Sequence, residues 1–135
     1  MMQPGRRTMS NRTIVADDDP AILDLVTKHL ESLGMEVQRA ENGVVLIELL
    51  ANHGPFDLII TDVSMPWMSG LQVALSARNA GLRTPVIVMT GLRDKDLLRQ
   101  VGNLGEQTVL LRKPFDLAEL HGALALLLPA ASLPS

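Results

Sequence analysis

Asp57-Leu58-Ile59-Ile60-Thr61-Asp62-Val63-Ser64-Met65-Pro66 is an apolar run that ends on a carboxylate and then breaks at a proline. Leu58, Ile59 and Ile60 follow one another with no polar alternation, which predicts a strand covered on both faces, as in a parallel sheet between helices. A carboxylate at the carboxyl end of such a strand lies on the edge where open α/β sheets place their ligands. Three further short runs end in the same way. Thr13-Ile14-Val15-Ala16 leads into Asp17-Asp18-Asp19, Pro85-Val86-Ile87-Val88-Met89 into Thr90, and Thr108-Val109-Leu110-Leu111-Arg112 into Lys113. If the runs are parallel strands, carboxylates, a hydroxyl and an ammonium gather along one edge, a set suited to a divalent cation and a phosphoryl group.

Between the runs lie helical patterns, and that alternation argues for βα units around a parallel sheet. Strands are expected at 13–16, 35–39, 56–61, 85–89 and 108–111. The second alternates apolar and polar residues, which suits an edge position. The first helix starts with Asp19 as cap and Pro20 in the first turn, carries Ile22, Leu23, Val26, Leu30 and Leu33 as its apolar stripe, and stops at Gly34. Further helices are expected at about 42–52, 70–79, 94–101 and 116–128. Asp116 and Glu119 stand at capping-box spacing on the last of these, with Leu117, Leu120, Leu124 and Leu127 on one face. The fourth is short and charged, and Gly102 and Gly105 follow it. Five strands and five helices make a three-layer α/β sandwich, and right-handed crossovers leave few topologies.

The composition narrows the function. At 135 residues the chain has the length of one domain, and 47% hydrophobic content is enough for a full core. Twelve Lys and Arg against fifteen Asp and Glu give a net charge of -3, which does not favour a phosphate backbone as direct partner. The absence of cysteine excludes disulfides, thiol catalysis and cysteine-based zinc sites. No apolar stretch reaches the roughly 18 residues of a membrane span. Arg6 and Arg7 are not followed by the apolar segment of a secretory signal. A cytoplasmic protein is the expectation.

An acidic triplet alone reads as a solvated turn with a helix cap. Asp62, on a different buried strand, changes that reading. Carboxylates converging from two strands repel one another, and a pKa rises unless a cation intervenes. Hard oxygen donors of this kind suit Mg²⁺, which usually binds through one or two carboxylates and keeps waters. With the charge neutralised, Asp62 can attack phosphorus and form an acyl phosphate. Lys113 and the Thr90 hydroxyl can then hold phosphoryl oxygens.

Taken together, these residues resemble the receiver domain of two-component response regulators. The carriers are Thr13 to Asp19; Asp57 to Asp62 with Met65-Pro66 and Gly70 at the family's spacing; Val86-Ile87-Val88-Met89-Thr90-Gly91; and Lys113-Pro114-Phe115. The resemblance covers about residues 12–128, with 1–11 as a flexible leader and 129–135 as a flexible tail. It implies a flavodoxin-like fold with strand order 2-1-3-4-5. It also implies that Asp62 is the phosphoacceptor, supplied by a sensor histidine kinase or a histidine phosphotransfer protein. Mg²⁺ would be held by Asp17, Asp18, Asp62 and the main-chain carbonyl of Ser64. Thr90 would move toward the phosphoryl group, Lys113 would contact it, and the Lys113-Pro114 bond would be cis. The chain would be no enzyme beyond self-phosphorylation from small donors and autodephosphorylation.

The expected output is a changed face built from the fourth helix, fifth strand and fifth helix. A downstream protein would read that face, which could also support a homodimer. No nucleic acid or membrane contact is expected. Seven residues beyond the fifth helix are too few for a DNA-binding motif, so a stand-alone switch is expected. Leu110 stands where many members carry an aromatic residue, so the usual aromatic readout is missing and a phosphorylation-independent interaction module is the alternative. An aspartyl-phosphate hydrolase ranks below both, because Ser64 stands where that class places a second acid. The fourth helix is expected to be mobile before phosphorylation. Trp67 lies either beside the acidic site, able to report Mg²⁺, or simply exposed in its loop. His29, His53 and His121 read as scattered surface or helix-flank residues without a metal or relay role.

Overall fold

A computed structural model describes residues 11–91 and 95–129. Ten elements follow one another: β1 (Arg12–Ala16), α1 (Pro20–Ser32), β2 (Glu36–Ala40), α2 (Gly43–Asn52), β3 (Leu58–Asp62), α3 (Gly70–Asn79), β4 (Val86–Thr90), α4 (Lys95–Gly102), β5 (Thr108–Arg112) and α5 (Leu117–Leu127). The five strands form one parallel sheet in the order β2-β1-β3-β4-β5, with β2 at an edge. Leader residues 1–10, tail residues 130–135 and Asp94, the expected first residue of the fourth helix, lie outside the described residues. Asn11 is buried and its carbonyl accepts the Glu36 N–H at 2.8 Å, so the packed part of the chain includes it.

Period-two alternation divides the core between two faces. Ile14, Ala16, Ile59, Val86 and Val88 point toward α2, α3 and α4, where Leu46, Leu71, Val73, Leu97 and Val101 meet them. Val15, Leu58, Ile60, Ile87, Met89 and Leu111 point the other way, against Leu23, Val26 and Leu30 of α1 and Leu120, Ala123 and Leu124 of α5. Every residue of β3 and β4 is buried, as their unbroken apolar runs require.

The helix starts follow local chemistry. Asp19 accepts the Ala21 N–H ahead of Pro20, and Gly34 takes a φ of 88° just past the end of α1. On α5 the capping box is complete, Asp116 accepting the Glu119 N–H while Glu119 accepts that of Asp116. Asn42 caps α2 and Ser69 caps α3.

Several boundaries differ from the sequence expectation. The third strand begins at Leu58 rather than residue 56. Asp57 instead exchanges hydrogen bonds with the Arg12 main chain, and the Arg12 guanidinium lies 4.6 Å from the Phe56 ring centre. The third and fourth strands each extend one residue further, so Asp62 and Thr90 are final strand residues rather than the residues after them. On α5, Leu117 is 43% exposed and Ala123 fills the stripe instead. A helix capped at Asp116 turns its first residue outward. Among the described residues two X-Pro bonds are cis: Lys113-Pro114, as the resemblance implied, and Gly54-Pro55, which no sequence signal marked.

Candidate phosphoacceptor site

Strand register assembles the site. Ala16 stands opposite both Ala40 and Thr61, so Asp17, which donates its N–H to the Ala40 carbonyl, emerges beside Asp62. Asp62 stands opposite Met89, one residue before Thr90, and Thr90 stands opposite Arg112. The Lys113 N–H donates to the Thr90 carbonyl at 2.8 Å, which fixes the root of the lysine. Four strand ends thus deliver Asp17, Asp62, Thr90 and Lys113 to one edge, and Asp18 follows Asp17 into the turn.

The side chains meet as well. Carboxylate oxygens of Asp17, Asp18 and Asp62 all lie within 4.8 Å of one another, a grouping able to hold a metal ion. Asp17 is fully buried and Asp18 exposed. Lys113 Nζ donates to Asp17 Oδ2 at 2.8 Å and lies 3.4 Å from Asp62 Oδ2. Asp17 Oδ1 accepts the Asp19 N–H at 2.9 Å, so the first carboxylate is held from both sides. Thr90, 1% exposed, is packed into the strand end.

Burial and the neighbouring Asp17 charge push the Asp62 carboxyl up to about 6, against the counter-pull of Lys113. Burial works to lower Lys113, but its hydrogen bond to Asp17 and the charges of Asp62 and Asp17 outweigh that and raise it. Lys113 therefore remains an ammonium at neutral pH. Three carboxylates against one ammonium leave the cluster net negative, with donors that are all oxygen. That set fits a hard divalent cation of the Mg²⁺ type.

Beside the cluster opens a cleft of about 440 Å³ lined by Asp18, Val63, Ser64, Met65, Pro66 and Ser69. Its wall is pinned at both ends. Val63 N–H donates to the Met89 carbonyl, and the Val63 carbonyl accepts from Ser69 Oγ and the Gly70 N–H. Gly70 sits so tightly on the end of β3 that a β-carbon there would run into Thr61 Oγ1 and the Asp62 carbonyl. Ser69 was missed in the sequence, although a serine directly before a helix start is a recognised cap signal. Trp67, in the same wall, is 83% exposed with a φ of 74°.

Leu110 is half-buried and packs against the face shared with α2, α3 and α4. The histidines are not all scattered. His29 of α1 and His121 of α5 meet edge to face, ring centres 5.8 Å apart, although 92 positions separate them in sequence. No local pattern predicts such an encounter between two helices on one side of a sheet.

Comparison with known proteins agrees with this geometry. Residues 13–125 match the family described as the response regulator receiver domain. The response regulator MprA of Mycobacterium sp. (strain KMS) is 36% identical over 124 residues, 92% of this chain and 53% of the relative. The chain therefore spans about half the length of such curated relatives. Among solved structures, the chemotaxis response regulator CheY4 of Vibrio cholerae superposes with a TM-score of 0.78 at 26% identity, covering 88% of this chain and 99% of that one. The response regulator TrrA of Thermotoga maritima, solved in complex with Mg²⁺ and BeF, gives 0.76 at 30% identity, covering 87% and 99%. Among the described residues, no helix is long and apolar enough to cross a membrane.

Proposed function

Because this chain belongs to the response regulator receiver domain family and so serves as a signalling module of two-component systems, we propose that it is a switch phosphorylated on Asp62. The donor is a phosphohistidine of a sensor kinase or a histidine phosphotransfer protein, or a small acyl phosphate. A carboxylate oxygen of Asp62 attacks phosphorus. The bond from phosphorus to the donor imidazole nitrogen breaks, its electron pair stays on that nitrogen, and the product is an acyl phosphate.

Asp17, Asp18, Asp62 and the Ser64 carbonyl would hold Mg²⁺. When bound, the ion supplies the positive charge that lets an anionic phosphoryl group approach three carboxylates. Lys113, shared between Asp17 and Asp62 at rest, has an Nζ able to turn to a phosphoryl oxygen. The Thr90 hydroxyl takes another. Phosphorylation adds about -1.5 to -2 charge and three acceptor oxygens. Contacts of Thr90 and Lys113 that exist only in that state shift a pre-existing equilibrium of α4, β5 and α5. Leu98 of α4 and Leu117 of α5, each 43% exposed, belong to the face that an output protein or a second copy would read. With Leu110 in β5, that readout runs through the position of α4 and not through a swinging ring.

The observation that carries this reading is the meeting of Asp17, Asp18, Asp62 and Lys113 at one strand edge. The test is incubation with acetyl phosphate and Mg²⁺, followed by intact mass. A phosphate adduct on the parent chain that is absent from Asp62→Asn is the expected result. No adduct on the parent would refute the switch and favour a module that binds partners without phosphorylation.

A further inference from the structure

A second polar cavity lies at the opposite end of the sheet from Asp62. It encloses about 320 Å³ and is lined by Arg78, Arg83, Leu104, Gly105, Glu106 and Gln107. Arg78 ends α3, Arg83 lies in the connection to β4, and 104–107 join α4 to β5. The Val86 N–H donates to the Gln107 carbonyl, which places this loop where β4 and β5 begin.

The Arg78 guanidinium is held rigidly. Its Nε donates to the Leu104 carbonyl at 3.0 Å and its Nη1 to the Leu82 carbonyl at 3.1 Å. Its Nη2 is buried, and no group among the described residues accepts from it. A buried donor left unpaired costs about 1–3 kcal/mol, more when the group is charged. Arg83 adds a second cation to the same wall. Burial lowers the Arg78 pKa, and repulsion from Arg83 lowers it further. Glu106 lines the cavity, yet no ion pair joins it to either guanidinium among the described residues. The loop opposite is bent around the space, with Gly105 at a φ of 81° and Gln107 at 67°, a value uncommon for a residue bearing a side chain.

We propose that this cavity binds a small phosphorylated anion, with Arg78 and Arg83 clamping the phosphoryl oxygens. The one Arg78 nitrogen without an acceptor among the described residues, Nη2, is the donor left for a tetrahedral oxyanion, and a second arginine on the same wall completes a two-sided clamp. The volume lies at the lower end of small-molecule sites, the size of a nucleotide or sugar monophosphate. Such a ligand would bridge the end of α3 to the loop that carries α4 into β5. It would therefore bear on the element that moves in the switch, from a site separate from the phosphoacceptor.

The test is amide NMR on the full chain in EDTA at constant ionic strength. Inorganic phosphate, adenosine monophosphate and acetate are titrated separately. Saturable shifts of the Gly102 to Gln107 amides and of Arg78 Nε are expected with both phosphoryl probes. Acetate should bind at least about tenfold more weakly. Arg83→Gln alters an exposed side chain and should leave the spectrum otherwise intact while weakening phosphate binding about tenfold, as the loss of charge-assisted hydrogen bonds implies. Non-saturable shifts, equal response to acetate, or an unchanged affinity in Arg83→Gln would overturn the proposal. So would shifts confined to Asp17, Asp62 and Lys113, which would place the phosphate at the phosphoacceptor edge. The acetyl phosphate mass experiment reads Asp62 alone, so each idea can fail without the other.

Discussion

Asp62→Asn does more than remove the proposed phosphoacceptor: in metal-free protein it should also raise stability, and by an amount that depends on pH. The fold lifts this carboxyl from 3.8 to about 6. At 1.36 kcal/mol per unit, that corresponds to about 3 kcal/mol against the ionised form. That figure already includes the pull of Lys113 at 3.4 Å, and in the variant Lys113 keeps its 2.8 Å bond to Asp17. A gain of about 2–3 kcal/mol follows at neutral pH, which for a domain of this size is roughly 8–12 °C in Tm. The sign follows from proton uptake. Between pH 3.8 and about 6 the unfolded chain has lost the Asp62 proton while the folded chain still holds it. Stability of the parent therefore falls as pH rises through this window, and the penalty is complete above it. The variant has no such proton, so its advantage should be near zero at pH 4 and full at pH 7. Thermal unfolding in EDTA at pH 4, 5, 6 and 7, followed by circular dichroism, measures this directly. An advantage that is absent at pH 7, or equal at all four pH values, would refute the electrostatic account of the site.

Three further outcomes are expected. Gly70→Ala should lose about 1–3 kcal/mol by urea denaturation, because its β-carbon meets Thr61 and the Asp62 carbonyl, and should slow adduct formation at Asp62. His29 has its pKa lowered from 6.5 by burial and by His121, so stability should fall as pH drops below 6.5, where the unfolded chain protonates first. In an Asp62→Asn background, which removes the opposing carboxyl effect, His29→Gln should flatten that slope between pH 5.5 and 7.5; an unchanged slope would count against the assignment. In the unphosphorylated chain, amide exchange should be faster in α4 than in α1; equal protection would remove the mobility expected of α4.

Much of this molecule was legible because its signals are local. Leu58-Ile59-Ile60 and Val86-Ile87-Val88, each bounded by turn residues, read as two-sided strands, and Asp19-Pro20 ahead of an apolar stripe reads as a helix start. Once the strands are parallel, the residues after them must share an edge, so Asp17, Asp62, Thr90 and Lys113 were recoverable as a set. What escaped depends on tertiary placement. The third strand starts two residues late because Asp57 is drawn to the Arg12 main chain. Leu117 turned outward because the cap at Asp116 sets the phase of α5. The His29–His121 encounter and the Arg78 clamp link distant parts of the chain, and no periodicity announces either.

The strap from Val63 to Gly70 is tied down at each end, by main-chain bonds to β4 and by the Ser69–Gly70 knot on β3. In its middle Met65 packs against the core and Met68 lies over Gly43 of α2, while Trp67 stands 83% in solvent. Trp67 can therefore be exchanged without disturbing the packing beneath it. A chain built this way can vary the surface it offers at Trp67 while leaving the buried Asp62 where it is.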